Sequence, residues 1–352
     1  MADKLMKICY DSNDSNNSNS RTVNVVIIND SPYFLTMLED IVRSNNFNVI
    51  GRFTNAKSGL DFVINNGNNV DVILLDLEMP DMDGISFIEY VLSKMFIPII
   101  VTTNYDESWV SKITGIGAID FVSMNNKQIN KLNSIIAEKI RLAYMMNMMA
   151  RSNYRNSTNN RYIPYQGKIV VIGASTGAPR IVRDILASIP SDIQACIMIV
   201  QHMPKGFTDT YVSMLKSNAS INVKKASSND KILNGIAFVA PADYHLIVDH
   251  NYIRLEQGPK YAHVRPSANV TMVTASNVYG PNVIGVLLSG MGFDGAFGMK
   301  VIKINGGFTI AQDEKTSVVF GMAKAACMVN AVDLVLPADK IAEGIIRAVY
   351  GR

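Results

Sequence analysis

At 352 residues, with 48% hydrophobic and 18% charged side chains, the chain has room for two hydrophobic cores. A formal net charge of +3 gives no field of the kind nucleic-acid binding needs, and the three scattered cysteines (Cys9, Cys196, Cys327) have neither disulfide-framework nor metal-ligand spacing and suit a reducing compartment. No run approaches the ~20 apolar residues of a membrane span, and MADKLMKICYD lacks an apolar core of signal-peptide length, so a cytoplasmic protein without membrane insertion is expected.

Residues 1–21 include DSNDSNNSNS, which has no apolar residue and reads as a disordered tail. From Thr22 a strand–helix alternation begins. TVNVVIIND is an apolar strand with a polar end. SPYFLTMLEDIVRSNN is a helix with cap-like Ser31 and Pro32 in its first turn. VDVILLD and IPIIVTT are buried strands, GAIDFVSM is a short one, and NNKQINKLNSIIAEKIRLAYMMNMM is a long amphipathic helix. Residues 22–148 are therefore a first domain with a parallel sheet and helices on both faces. Its Met-rich end, Met145 to Met149, reads equally as helix core or as an adaptable packing surface between domains. Lys and Arg scattered from Lys127 to Arg161 read as a solvated helix face plus linker, or as a binding patch. Residues 149–166, polar and Asn-rich, are the linker. The alternation restarts over 167–352. KIVVIG, QACIMIVQH, NVIGVLLSG and GFTIAQ are strands, APRIVRDILASI, KGFTDTYVSMLKSN and AFGMKVIKING are helices, and HLIVDHNYIRLEQ is a hairpin. Both halves are thus α/β and doubly wound, the second with antiparallel edges.

Ligands of an open parallel sheet gather at the carboxyl ends of its strands. In the first half those ends carry Asn29-Asp30, Asp76 and Thr102. Clustered carboxylates repel unless a hard cation lies among them, and oxygen ligands suit Mg²⁺. The alternative is that Asp30 and Asp76 cap the following helices. In the second half G-A-S-T-G fits G-x-S-x-G, the strained turn that exposes a serine nucleophile, and equally a phosphate nest. No G-K-[ST] or G-x-G-x-x-G follows to support the nest. A serine needs a base, and a base needs an anionic partner. Of four histidines, His202 ends the next strand, and Asp294 follows a third. Ser175, His202 and Asp294 then make a triad; a capping serine, a satisfied histidine and a turn aspartate are the alternative. The elbow geometry nominates the Thr176 N–H as an oxyanion donor.

Two sets of motifs carry a family resemblance. Asp30, D-L-E-M-P-D-M-D-G from Asp76, Thr102 and G-A-I-D-F-V resemble the flavodoxin-like response-regulator receiver domain. I-G-A-S-T-G-A-P, Q-H-M-P-K-G-F-T, V-A-P-A-D-Y-H-L, R-P-S-A-N-V, G-V-L-L-S-G-M-G-F-D-G-A-F-G-M and I-A-Q-D-E-K-T-S-V-V-F-G-M resemble the catalytic domain of the chemotaxis methylesterases, with a mostly parallel α/β fold. The resemblance implies a protein-glutamate methylesterase and glutamine deamidase with Ser175, His202 and Asp294 as its triad. Together with the glycine-flanked turn, it nominates the Met291 N–H as second oxyanion donor. It implies chemoreceptors as substrate and a histidine kinase as phosphodonor to Asp76. It also implies Mg²⁺ on Asp30, Asp76 and the Glu78 carbonyl, and Thr102 as phosphoryl contact. The unphosphorylated receiver would cover the esterase mouth, and the enzyme would be a monomer. The sequence departs from the family at Asn29 (usually acidic), Met124 (usually lysine), Ala178 (usually glycine), Lys205 (commonly proline) and Phe293 (commonly asparagine). Competing readings are an output domain that binds without catalysing, and a receiver that only docks.

Overall fold

The computed structural model describes residues 22–95, 97–103, 120–124, 129–151, 165–258, 260–261 and 264–351. The tail, most of the linker, Lys127, His263 and the side chains of Met145, Met146, Met148 and Met149 lie outside the described residues. The described chain falls into two compact units, one ending at Asn147 and the other starting at Met148.

The N-terminal unit contains β1 (Asn24–Ile28), α1 (Pro32–Ser44), β2 (Asn48–Phe53), α2 (Ala56–Asn66), β3 (Val72–Asp76), α3 (Gly84–Lys94), β4 (Ile99–Thr103), β5 (Asp120–Ser123) and α4 (Ile129–Arg151). Its sheet has the order β2-β1-β3-β4-β5, parallel throughout, which is the flavodoxin-like winding expected from the resemblance. Helices on both faces explain why β1, β3 and β4 are continuous apolar runs rather than alternating ones. On one face Val25, Ile27, Val72, Leu74 and Ile100 pack with Leu38 and Val42 of α1 and with Ile136 and Ile140 of α4. β2 is half exposed and more polar, and its weak pattern escapes a reading based on apolar runs.

The C-terminal unit contains β6 (Lys168–Ala174), α5 (Pro179–Ser188), β7 (Ala195–Gln201), α6 (Thr208–Lys216), β8 (Asn222–Lys225), β9 (Ile236–Val239), β10 (His245–Asp249), β11 (Tyr252–Glu256), α7 (Ala268–Tyr279), β12 (Val283–Leu287), α8 (Ala296–Ile304), β13 (Phe308–Gln312), α9 (Met322–Met328), β14 (Leu334–Leu336) and α10 (Ile341–Tyr350). The seven-stranded sheet runs β14-β13-β12-β6-β7-β9-β8. Every pairing in it is parallel. The antiparallel edges expected from the sequence are absent from this sheet; the hairpin β10–β11 forms a separate two-stranded ribbon. Strand order reverses at β6, which has β7 on one side and β12 on the other. That switch opens a crevice at the carboxyl ends of β6 and β12, where ligands of doubly wound sheets bind.

Candidate active site and candidate phosphoacceptor site

Ser175 is the first residue after β6, and the chain turns immediately. The Ala178 N–H donates to the Ser175 carbonyl at 3.2 Å, and Gly177 at the third position has φ +85°. Those are the marks of a type II turn, in which the third residue must be left-handed. The strain expected at the serine is therefore carried by the glycine: Ser175 is not among the residues of positive φ. A side chain at 177 would also meet Val318, whose Cβ would lie 2.4 Å from the added carbon.

His202 follows β7 as Ser175 follows β6. Ala174 is in register with Gln201, and the His202 N–H donates to the Ala174 carbonyl at 2.9 Å, so serine and histidine occupy adjacent positions at one sheet rim. The imidazole Nε2 lies 2.8 Å from Asp294 Oδ2. Nδ1 is the nitrogen left for the serine. Among the described residues the Ser175 hydroxyl has no hydrogen-bond partner, so the structure joins His202 to Asp294 and sets Ser175 at the adjacent strand end without closing the last contact. The other described histidines are committed elsewhere. His245 Nδ1 accepts from the Ser267 N–H at 3.2 Å, and exposed His250 pairs with Asp249.

Asp294 is almost fully buried. Besides His202 it accepts from Ser267 Oγ at 2.6 Å, the Ala268 N–H at 2.6 Å and the Asn269 N–H at 3.1 Å. These backbone donors are free N–H groups of the first turn of α7, whose dipole also favours an anion there. Burial alone would push the carboxyl up; the His202, Ser267 and Ala268 bonds outweigh it and hold it below the ordinary carboxylate range. Asn269 returns the favour to α8, its Oδ1 accepting from the Gly295 and Gly298 N–H groups at 2.9 and 2.8 Å. Ser267 and Asn269 were present in R-P-S-A-N-V without an assigned role; a serine just ahead of a helical run is the cap signal that marks Ser267.

Two peptides flank the serine in the same manner. The Ser175 carbonyl accepts from Gln201 Nε2 at 3.0 Å as well as from Ala178. The Gly290 carbonyl accepts from the Gly321 and Met322 N–H groups at 3.1 and 3.0 Å. In a trans peptide the next N–H points opposite to the carbonyl. Anchoring these carbonyls thus turns the Thr176 and Met291 N–H groups the other way, and neither donates to any of the described residues. The two segments touch: an added Cβ at Gly290 would lie 2.7 Å from Ser175 Cβ. Ser289 binds them together, accepting the Ser175 N–H on its carbonyl at 3.1 Å and donating its hydroxyl to the Thr176 carbonyl at 2.8 Å.

In the N-terminal unit the capping alternative for Asp30 and Asp76 fails. Ser31 caps α1, and Asp83 caps α3 by accepting from the Ser86 N–H at 2.9 Å. Asp76 is half-buried and Asp30 exposed. Burial, and then the Asp30 charge, push Asp76 up to about 6 despite an N–H bond from Glu78. Thr102 lies in register with Asp76, and its fully buried hydroxyl has no partner among the described residues. Asn29 Oδ1 accepts from the Ser31 N–H at 2.9 Å, a turn-forming role rather than an acidic one. Met124 is buried with Leu132 and Ile136, so no ammonium stands at that position. Among the described residues no three His, Cys, Asp or Glu side chains converge as a metal cluster. Two coupled carboxylates beside an orphaned hydroxyl nevertheless suit a hard cation with few protein ligands and a phosphoryl oxygen.

Comparison with known proteins settles the family. Residues 170–345 match the CheB methylesterase family and residues 25–136 the response regulator receiver domain. The chain belongs to the CheB methylesterases. A protein-glutamate methylesterase/protein-glutamine glutaminase of Clostridium acetobutylicum is 35% identical over 341 residues, 94% of this chain and 98% of the relative. One of Pyrococcus horikoshii is 35% identical over 356 residues, 94% of each chain. The crystal structure of the Thermotoga maritima CheB methylesterase catalytic domain is 40% identical, with a TM-score of 0.51, covering 52% of this chain and 99% of that one. In this CheB methylesterase the departures Ala178 and Phe293 are both buried, and the side chain of neither carries a polar group toward Ser175, His202 or Asp294.

Proposed function

We propose that the methylesterase domain hydrolyses glutamate 5-O-methyl esters on chemoreceptors, and deamidates receptor glutamines, by a Ser-His-Asp mechanism. The observation that carries this reading is the bond of His202 Nε2 to a buried Asp294, which leaves Nδ1 over, with Ser175 following the adjacent strand end. His202 Nδ1 takes the hydroxyl proton as Ser175 Oγ attacks the γ-carbonyl. Asp294 holds the tautomer and stabilises the imidazolium. The N–H groups of Thr176 and Met291 receive the oxyanion, each worth about 3 kcal/mol of barrier. The imidazolium then gives its proton to the leaving oxygen, and methanol departs; from a glutamine, ammonia departs in its place. Water, deprotonated by the same nitrogen, cleaves the acyl-serine and leaves a free glutamate.

The receiver domain is proposed to take a phosphoryl group on Asp76 from a histidine kinase and thereby to regulate the esterase. Asp30, Asp76 and the Glu78 carbonyl are the residues that would hold Mg²⁺. The chemistry such an ion would supply there is neutralisation of the charge that develops on the transferring phosphoryl. The Thr102 hydroxyl, buried and unpartnered, is free to bond the new phosphoryl oxygens.

The test is methanol release from methylated receptor by the full-length chain. Wild type releases methanol, and Ser175→Ala falls to background, at least ~10³-fold lower. Release by Ser175→Ala at the wild-type rate would remove the nucleophile and with it the mechanism.

A further inference from the structure

Gln201, the last residue of β7, is a buried polar side chain at the end of an otherwise apolar strand, ACIMIVQ. Its Nε2 donates to two carbonyls, those of Ser175 and His202, both at 3.0 Å. Both neighbours are acceptors, so the orientation of the carboxamide is forced. Its Oε1 is buried without a partner. An apolar residue would fill the same space and leave no orphaned oxygen, so packing gives no reason for a glutamine here.

What the two bonds fix is specific. The Ser175 carbonyl belongs to the peptide whose N–H is that of Thr176. Holding the one aims the other, because the peptide is planar and trans. The His202 carbonyl belongs to the loop that leaves the strand directly after the imidazole. One amide group therefore sets the angle of an oxyanion donor and the backbone on which the base stands.

We infer that Gln201 is a positioning residue for the esterase reaction, acting through the Ser175–Thr176 peptide and the His202 backbone. This rests on the triad reading above. Gln201 touches neither substrate nor reacting atoms. Its contribution is to the transition state, where the oxyanion has moved into line with the N–H, and not to substrate binding.

The test uses the full-length chain with methylated receptor, comparing wild type, Gln201→Met, Gln201→Glu and Ser175→Ala. Methionine keeps the size and removes both donors. Glutamic acid, buried among carbonyl oxygens and so protonated, regains one O–H donor. In Gln201→Met, kcat falls ten- to hundredfold while KM stays within about twofold, short of the ~10²–10³-fold cost of deleting an oxyanion donor outright. Labelling of Ser175 by a fluorophosphonate slows by a similar factor. Gln201→Glu recovers part of both. Wild-type kcat in either variant, with a cooperative melt showing that it is folded, overturns the inference, as does a loss expressed only in KM. Methanol release by Ser175→Ala would instead overturn the triad reading. If Gln201→Met does not fold, Gln201→Glu alone decides.

Discussion

At the scale of single residues, the site depends on how a buried charge is kept. Asp294 has four donors around it, and three come from the start of α7. Ser267 has two roles, since its hydroxyl binds Asp294 and also caps α7 by accepting from the Val270 N–H at 3.4 Å. Ser267→Ala removes a charge-assisted bond and a cap, which together stabilise by about 2 kcal/mol. The expected outcome is an unfolding free energy lower by that amount, read as a lower urea midpoint at unchanged slope. kcat should fall by roughly tenfold or less, because the Ala268 and Asn269 N–H groups still hold the carboxylate; a full ~1 Å displacement would cost about 10². Urea titration and steady-state methanol release check the two parts. The acid side follows from the same contacts. A carboxyl held below its unfolded value stabilises at neutral pH, and that contribution is lost as pH drops below about 4 and through the folded value.

At the scale of elements, each candidate site residue stands at or beyond the carboxyl end of a parallel strand: Asp30 after β1, Asp76 on β3, Thr102 on β4, Ser175 after β6, His202 after β7 and Asp294 after β12. This much was legible in the sequence, because apolar runs ending in polar residues locate strand ends without any tertiary knowledge. The partners were not. Gln201, Asn269 and Ser289 act through hydrogen bonds to backbone groups far away in the chain, and Ser267 through one to the distant Asp294 carboxylate, and no spacing rule carries that information. Type II geometry at Gly177 was also hidden, since G-x-S-x-G does not say which residue bears the left-handed φ. Bringing β1 and β3 ends together has a measurable cost. Asp76 is raised to about 6 by burial and by Asp30, so the folded receiver prefers it protonated and loses stability as pH rises from about 4 through 6. With chelator present, Asp76→Asn should stabilise the receiver by about 1–2 kcal/mol at pH 7.5; the full shift would give about 3, reduced because the half-buried carboxyl is partly screened by solvent. Near pH 4 the gain should vanish, and a gain equal at both pH values would contradict it.

At the scale of the whole molecule, the question is whether a receiver with Asn29 and Met124 still governs the esterase. Asn29 spends its oxygen on the Ser31 N–H, and Met124 is packed into the core, so a phosphoryl group on Asp76 would lack one direct cationic partner. What survives is the mutually repelling pair Asp30–Asp76 and a Thr102 hydroxyl with no partner among the described residues, all of which a cation and a phosphoryl group would satisfy. The proposed regulation would therefore lean on the metal and on Thr102 more than on a lysine contact. The full-length chain is expected to release methanol several-fold faster with acetyl phosphate and Mg²⁺ than without. Chelation of the metal, Asp76→Asn or Thr102→Val should each abolish the increase while leaving the unstimulated rate in place, as a charge-driven switch requires. Equal rates with and without phosphodonor in the wild type would leave the receiver as a docking module only, and stimulation that persists in Asp76→Asn would move the phosphoacceptor elsewhere.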